Sequence, residues 1–196
     1  MTGRTIDELS VGDAAEVSRV VTASDIAGFV DSVGDRNPIH SDPAFAAATR
    51  FREPIAPGIW TAGLISGVLG TELPGPGTLY ETQELRFLRP VRVGDTITAR
   101  VEVADILRER NRVRLKTTCV NQRGEEVLTG DAWVLPPKGS IVYDGHAPTL
   151  EALSRWALVP WAWTAQALSL WISWTALPSW WALVPSGDDH NAGISS

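Results

Sequence analysis

The sequence predicts an α+β fold in which an antiparallel β-sheet wraps around one central helix, followed by a Trp-rich C-terminal tail. Apolar and polar residues alternate through 96–103, 112–120 and 126–134, the period of half-buried strands. A stretch in which apolar and small residues mix follows Pro57-Gly58 and reads as a buried helix. The order strand, helix, loop, buried helix and then a run of long strands completes the architecture.

Val17 to Val21 form the first expected strand. Thr22-Ala23-Ser24-Asp25 resembles a capping box, the Thr22 hydroxyl and Asp25 carboxylate each satisfying a free amide at a helix start. Ile26, Phe29, Val30 and Val33 recur at helical spacing, and Gly34 is placed to end that helix. Asp35 to His40 therefore lie in a loop just after it. In the second helix Ile59, Leu64, Ile65, Val68 and Leu69 are apolar, while Ala62, Gly63, Ser66 and Gly67 predict close packing against the sheet. From Thr78 onward the period is two. Ile97, Ala99, Val101 and Val103 point one way in their strand, and Val113, Leu115, Thr117 and Cys119 in theirs. Arg92-Val93-Gly94-Asp95 and Asn121-Gln122-Arg123-Gly124 supply turns.

A length of 196 residues accommodates one domain with a sizeable core, or a small domain with an appendage. The net charge of −6 argues against nucleic acid as a partner, because phosphate binding needs a concentrated basic face. Cys119 is the single cysteine, has no disulfide partner and calls for no oxidising compartment, so a cytoplasmic location is expected. The N-terminal residues lack the apolar stretch of a signal peptide. His40, His146 and His190 are far apart and no Cys/His cluster exists, which gives a metal site no support and leaves no cofactor expected.

The chemistry concentrates in Gly34-Asp35-Arg36-Asn37-Pro38-Ile39-His40. Hydrating a double bond conjugated to a thioester requires a base for water, an acid for the α carbon and donors for the thioester oxygen. An Asp and a His in one loop could supply the first two, and Pro38 stiffens the loop between them. Spacing alone leaves equally open that Asp35 caps a turn and His40 is a satisfied histidine.

The segment FVDSVGDRNPIHSDPAFA, Phe29 through Ala46, resembles the signature of the MaoC-like, (R)-specific enoyl-CoA hydratase family, whose domains have the hot-dog fold. Phe51 to Ala56, Thr61 to Ser66, Leu73 to Thr78 and Phe87 to Asp95 resemble that family in the same order, so the likeness spans roughly residues 8 to 136. It implies reversible hydration of a trans-2-enoyl-CoA to a (R)-3-hydroxyacyl-CoA by a homodimer whose sheets join. It also implies that Asp35 and His40 are the catalytic pair around a water, with Asn37 holding their geometry. Ser66 falls at the family's position for a hydroxyl near the catalytic aspartate, though a small residue for helix–sheet contact is an equal reading. The Gly58 amide falls at the oxyanion position, where a helix start presents free N–H groups. Three positions depart from the pattern: Pro57 stands where the family has His, Trp60 is unusually large, and Val33 replaces a small polar residue. Thioester hydrolysis and non-catalytic acyl-CoA binding are the competing functions, since a fold does not fix chemistry.

Pro136-Pro137-Lys138-Gly139-Ser140 marks a change of composition, giving an expected domain at 1–137 and a linker and tail at 138–196. Eight of the nine tryptophans lie between residues 133 and 181, and WALVP occurs at 156–160 and 181–185. Residues 139–159 resemble the junction of hydratase domains fused to a phosphate acyltransferase, so the tail reads as a truncated or frame-shifted fusion remnant. Membrane contact is the alternative, disfavoured by Pro160, Pro178 and Gln166 within the uncharged stretch.

Overall fold

The computed structural model describes residues 1–145. The expectations for the tail, including the fusion remnant, the membrane segment and the repeated pentapeptide, lie outside the described residues. The elements in chain order are β1 (Thr2–Gly3), β2 (Ala14–Val20), α1 (Ala23–Val33), α2 (Pro43–Ala47), α3 (Gly58–Thr71), β3 (Leu79–Phe87), β4 (Thr96–Leu107), β5 (Arg112–Val120), β6 (Glu126–Leu135) and β7 (Ile141–Val142). Five strands form an antiparallel sheet in the order β2-β4-β5-β6-β3, and β1 pairs with β7 in a separate ribbon. This is the α+β arrangement that the sequence predicts.

The alternation in the central strands has a direct physical result. Ile97, Ala99, Val101 and Val103 of β4 and Val113, Leu115, Thr117 and Cys119 of β5 are all buried on one face. Thr117, the polar member, is satisfied by the Gln83 amide, whose Nε2 donates to its hydroxyl at 3.1 Å. Truncating one of the larger side chains to alanine in such a layer costs about 2–5 kcal/mol. In β6 the alternation breaks once. Cys119 pairs with Leu128 and Val120 with Glu126, so Val127 is an extra residue and both Val127 and Leu128 turn inward. The freed Val127 carbonyl accepts from the amides of Leu88 and Arg89, at 2.9 and 3.3 Å, which draws the chain after β3 across the sheet end.

Helix α3 lies on this face. Trp60, Thr61, Ile65, Val68 and Leu69 are its buried residues, and large Trp60 fills space within the core. Of the small residues only Ala62 packs against the core as the sequence suggests. Gly63, Ser66, Gly67 and Gly70 are exposed, and a methyl group added at Gly63, Gly67 or Gly70 would meet no atom within 4 Å. At 3.6 residues per turn these positions fall opposite the sheet-facing row, so the bulky residues set the helix–sheet distance.

In α1 the burial is likewise narrower than the periodicity suggests. Ile26 is buried and Phe29 and Val30 partly so, whereas Val33 is exposed at the last turn. Among the described residues no helix is long and apolar enough to cross a membrane.

Candidate active site

The site begins with the capping of α1. Asp25 N donates to the Thr22 hydroxyl at 3.1 Å, and Thr22 N donates to Asp25 Oδ2 at 3.0 Å, the reciprocal pair expected of a capping box. Hydrogen bonds from Thr22 chiefly, and from Arg19, hold the Asp25 carboxyl below its ordinary range. At the other end Gly34 adopts φ 69°, a left-handed conformation that glycine takes at little cost, and its amide donates to Asp31 and Val30. The chain thereby turns sharply, and Asp35 N donates to the Val30 carbonyl at 2.9 Å.

From there the loop is bonded to itself. Asn37 N donates to Asp35 Oδ1 at 2.9 Å, and Ile39 N donates to Asn37 Oδ1 at 3.3 Å. His40 N donates to the Asn37 carbonyl at 3.2 Å. These contacts fold His40 back over Asp35, with His40 Nε2 3.7 Å from Asp35 Oδ2. The other ring nitrogen, Nδ1, lies 2.7 Å from the Ile55 carbonyl oxygen. A carbonyl only accepts, so Nδ1 carries a proton there, and in the neutral form of the ring Nε2 is left with a lone pair. Two acceptors then face one another across a gap too long for a direct hydrogen bond.

His40 lines a cavity of about 360 Å³ whose wall also includes Ile55, Ala56, Gly58, Thr61 and Val127. The Ile55 segment is itself fixed, since Ile55 N donates to the Ile39 carbonyl at 3.3 Å and Ala56 N to that of Val91 at 2.8 Å. Pro57 is the N-cap of α3 and offers no side-chain cap. Gly58 N donates no hydrogen bond among the described residues, which leaves a free amide at the positive end of a helix whose first residue lines the cavity. A ring closely approaches Gly58: a methyl group on it would sit 2.7 Å from Cε1 of Phe87, so that one of the two would have to shift.

The structure thus brings together Asp35, Asn37 and His40, and places His40 and Gly58 on one cavity. Ser66 makes no side-chain hydrogen bond among the described residues and lies on the exposed face of α3. The Ile55 carbonyl and the Phe87 ring are contributors that sequence reasoning does not find. Among the described residues no group of three or more His, Cys, Asp or Glu side chains gathers as metal ligands do.

Comparison with known proteins identifies the family of this domain. The MaoC like domain model matches residues 11–125. A 3-hydroxybutyryl-CoA dehydratase of Methylorubrum extorquens is 49% identical over 132 residues, covering 67% of this chain and 83% of that protein. An (R)-specific enoyl-CoA hydratase of Aeromonas caviae is 43% identical over 66% of this chain and 96% of its own length. The unliganded R-hydratase PhaJ1 of Pseudomonas aeruginosa superposes with a TM-score of 0.70 at 41% identity, covering 75% of this chain and 95% of that one. The hot-dog domain described here therefore belongs to the MaoC-like dehydratase family.

Proposed function

We propose that this chain is an enoyl-CoA hydratase that adds water reversibly to a trans-2-enoyl-CoA, giving a (R)-3-hydroxyacyl-CoA. The observation that carries the reading is the pair His40 Nε2 and Asp35 Oδ2, 3.7 Å apart beside a cavity that His40 and Gly58 both line. With the ring neutral and the carboxylate ionised, both can accept from a single water, which becomes the nucleophile. As its oxygen bonds to C3 of the enoyl group, one of the pair takes its proton, and the C2–C3 electron pair moves toward the thioester carbonyl. The Gly58 N–H stabilises the charge on that oxygen. The proton is then delivered to C2, so that hydrogen and hydroxyl arrive from the same side of the double bond. Asn37 orients Asp35, while for Ser66, exposed on α3 and outside the cavity lining, a hydroxyl role is supported by the family resemblance alone.

Relatives named hydratase and dehydratase at 41–49% identity support the reaction class. Residues 1–137 carry the proposed chemistry, with 138–196 contributing nothing to it. A homodimer belongs to the proposal because among the described residues β3 is an unpaired sheet edge with Leu79, Tyr80 and Phe87 exposed, and pairing would cover them. So does a cytoplasmic setting, since the lone Cys119 thiol is buried and unpaired.

The test follows the enoyl-thioester absorbance of crotonyl-CoA together with thiol release. Hydration removes the absorbance and frees no thiol. Thiol release would indicate a thioesterase, and binding without either change would indicate a non-catalytic acyl-CoA module.

A further inference from the structure

The cavity beside His40 is also lined by two exposed arginines, Arg50 and Arg89. Among the described residues neither lies within ion-pair distance of a carboxylate, whereas eight other arginines each do. In a chain of net charge −6 this reverses the sign of charge locally at a cavity mouth. Both side chains are positioned. The Arg50 guanidinium carbon stands 4.7 Å from the centroid of the Phe51 ring, another wall residue. Arg89 Nη1 donates to the Glu126 carbonyl at 2.5 Å, leaving the rest of its fork free. The nearby Glu125 carboxylate is occupied by Asn121 and Arg123, both at 2.8 Å. Below this rim the floor consists of buried Ala56, Thr61, Val91 and Val127.

An apolar floor under a cationic rim suits a ligand that is neutral along one portion and polyanionic at its far end. We propose that Arg50 and Arg89 bind the phosphates of the nucleotide portion of a CoA thioester. The assignment rests on the hydratase reading of the same cavity. Guanidinium forks match phosphate oxygens in geometry as well as charge, and stacking on Phe51 limits the ordering that Arg50 undergoes on binding. The nucleotide phosphates are thereby a source of affinity separate from the reacting thioester.

The experiment compares crotonyl-CoA with crotonyl-pantetheine, which carries the same thioester without the nucleotide, on the full chain and on Arg50→Ala, Arg89→Ala and the double variant. The readout is the ratio of the two kcat/KM values. Each single substitution lowers this ratio about fivefold, through KM, and the double variant lowers it further. Added salt lowers the wild-type ratio as well. A ratio that does not move, or equal losses on both substrates, overturns the proposal. Crotonyl carrier protein is assayed on the same variants as a third substrate, and a loss confined to it also overturns the proposal and would assign the rim to an acidic protein surface. Calorimetric titration with adenosine 3′,5′-bisphosphate gives a readout independent of turnover. If the wild type hydrates neither thioester, the hydratase reading fails, while bisphosphate binding that disappears in the double variant upholds the arginine assignment and absent binding refutes it.

Discussion

The Ile55 carbonyl oxygen lies 2.7 Å from His40 Nδ1, and this backbone contact determines which ring nitrogen is free to act. Because Nδ1 donates there, Nε2 is the acceptor that faces Asp35. His40→Gln and Asp35→Asn each remove one proton acceptor while preserving side-chain volume approximately. Each should lower kcat by about two decades or more in a hydration assay, with little change in the melting midpoint. Rates within a few-fold of wild type in either variant would remove that residue from proton transfer.

Gly58 gives a second, geometric prediction. A methyl group there meets the Phe87 ring at 2.7 Å, so Gly58→Ala must displace either the ring or the first turn of α3. If the turn moves, the amide leaves the position that the proposed oxyanion role requires, and misplacement on the order of 1 Å costs up to about a hundredfold in rate. Adding Phe87→Leu to Gly58→Ala should recover much of the loss, because the obstructing ring is gone. Equal rates for the single and double variants would show that the collision is not the cause.

The sheet and the helix cap were legible in the sequence because each rests on local rules. Period-two burial at Ile97, Ala99, Val101 and Val103 needs only a strand with one covered face. The Thr22–Asp25 box and the Gly34 stop need only neighbours within a few residues. The His40–Asp35 contact was half legible: the loop bonds that create it span Asp35 to His40, but the Ile55 carbonyl has no residue-type signature at all. The Phe87 ring over Gly58 joins positions far apart in the chain, and helical periodicity carries no information about it. The small-residue row of α3 misled for a related reason. Composition reports that a helix is narrow on one side, and only packing decides which side meets the sheet.

The cap of α1 makes stability depend on acid. The Asp25 carboxyl is held below its ordinary value of 3.8, chiefly by the Thr22 hydroxyl. The unfolded chain therefore takes up this proton first as the pH falls. Asp25 contributes stability that is present above about pH 4 and is lost as the pH falls through the lower folded value. At neutral pH Thr22→Ala should cost about 1 kcal/mol in denaturant unfolding, the usual worth of such a cap. The difference between variant and wild type should shrink below pH 4. A gap that stays constant down to pH 2.5 would mean that Asp25 does not act through Thr22.

Cys119 produces the opposite slope at the alkaline end. Burial in the apolar layer between β5 and α3 pushes its thiol from an ordinary value of 9.0 up to about 12. The thiol donates to the Thr61 carbonyl at 3.9 Å, an acceptor that cannot stabilise a thiolate. The unfolded chain ionises first as the pH rises, so stability present below about pH 9 is lost between there and pH 12. Cys119→Ala has no group to ionise and should lose less stability over that interval, offsetting part of the cavity it creates. In the native protein a disulfide reagent at pH 8 should react only at the rate of unfolding, because both the access and the thiolate are missing. Immediate stoichiometric reaction without denaturant would place Cys119 outside the core, and with it the inward register of β5.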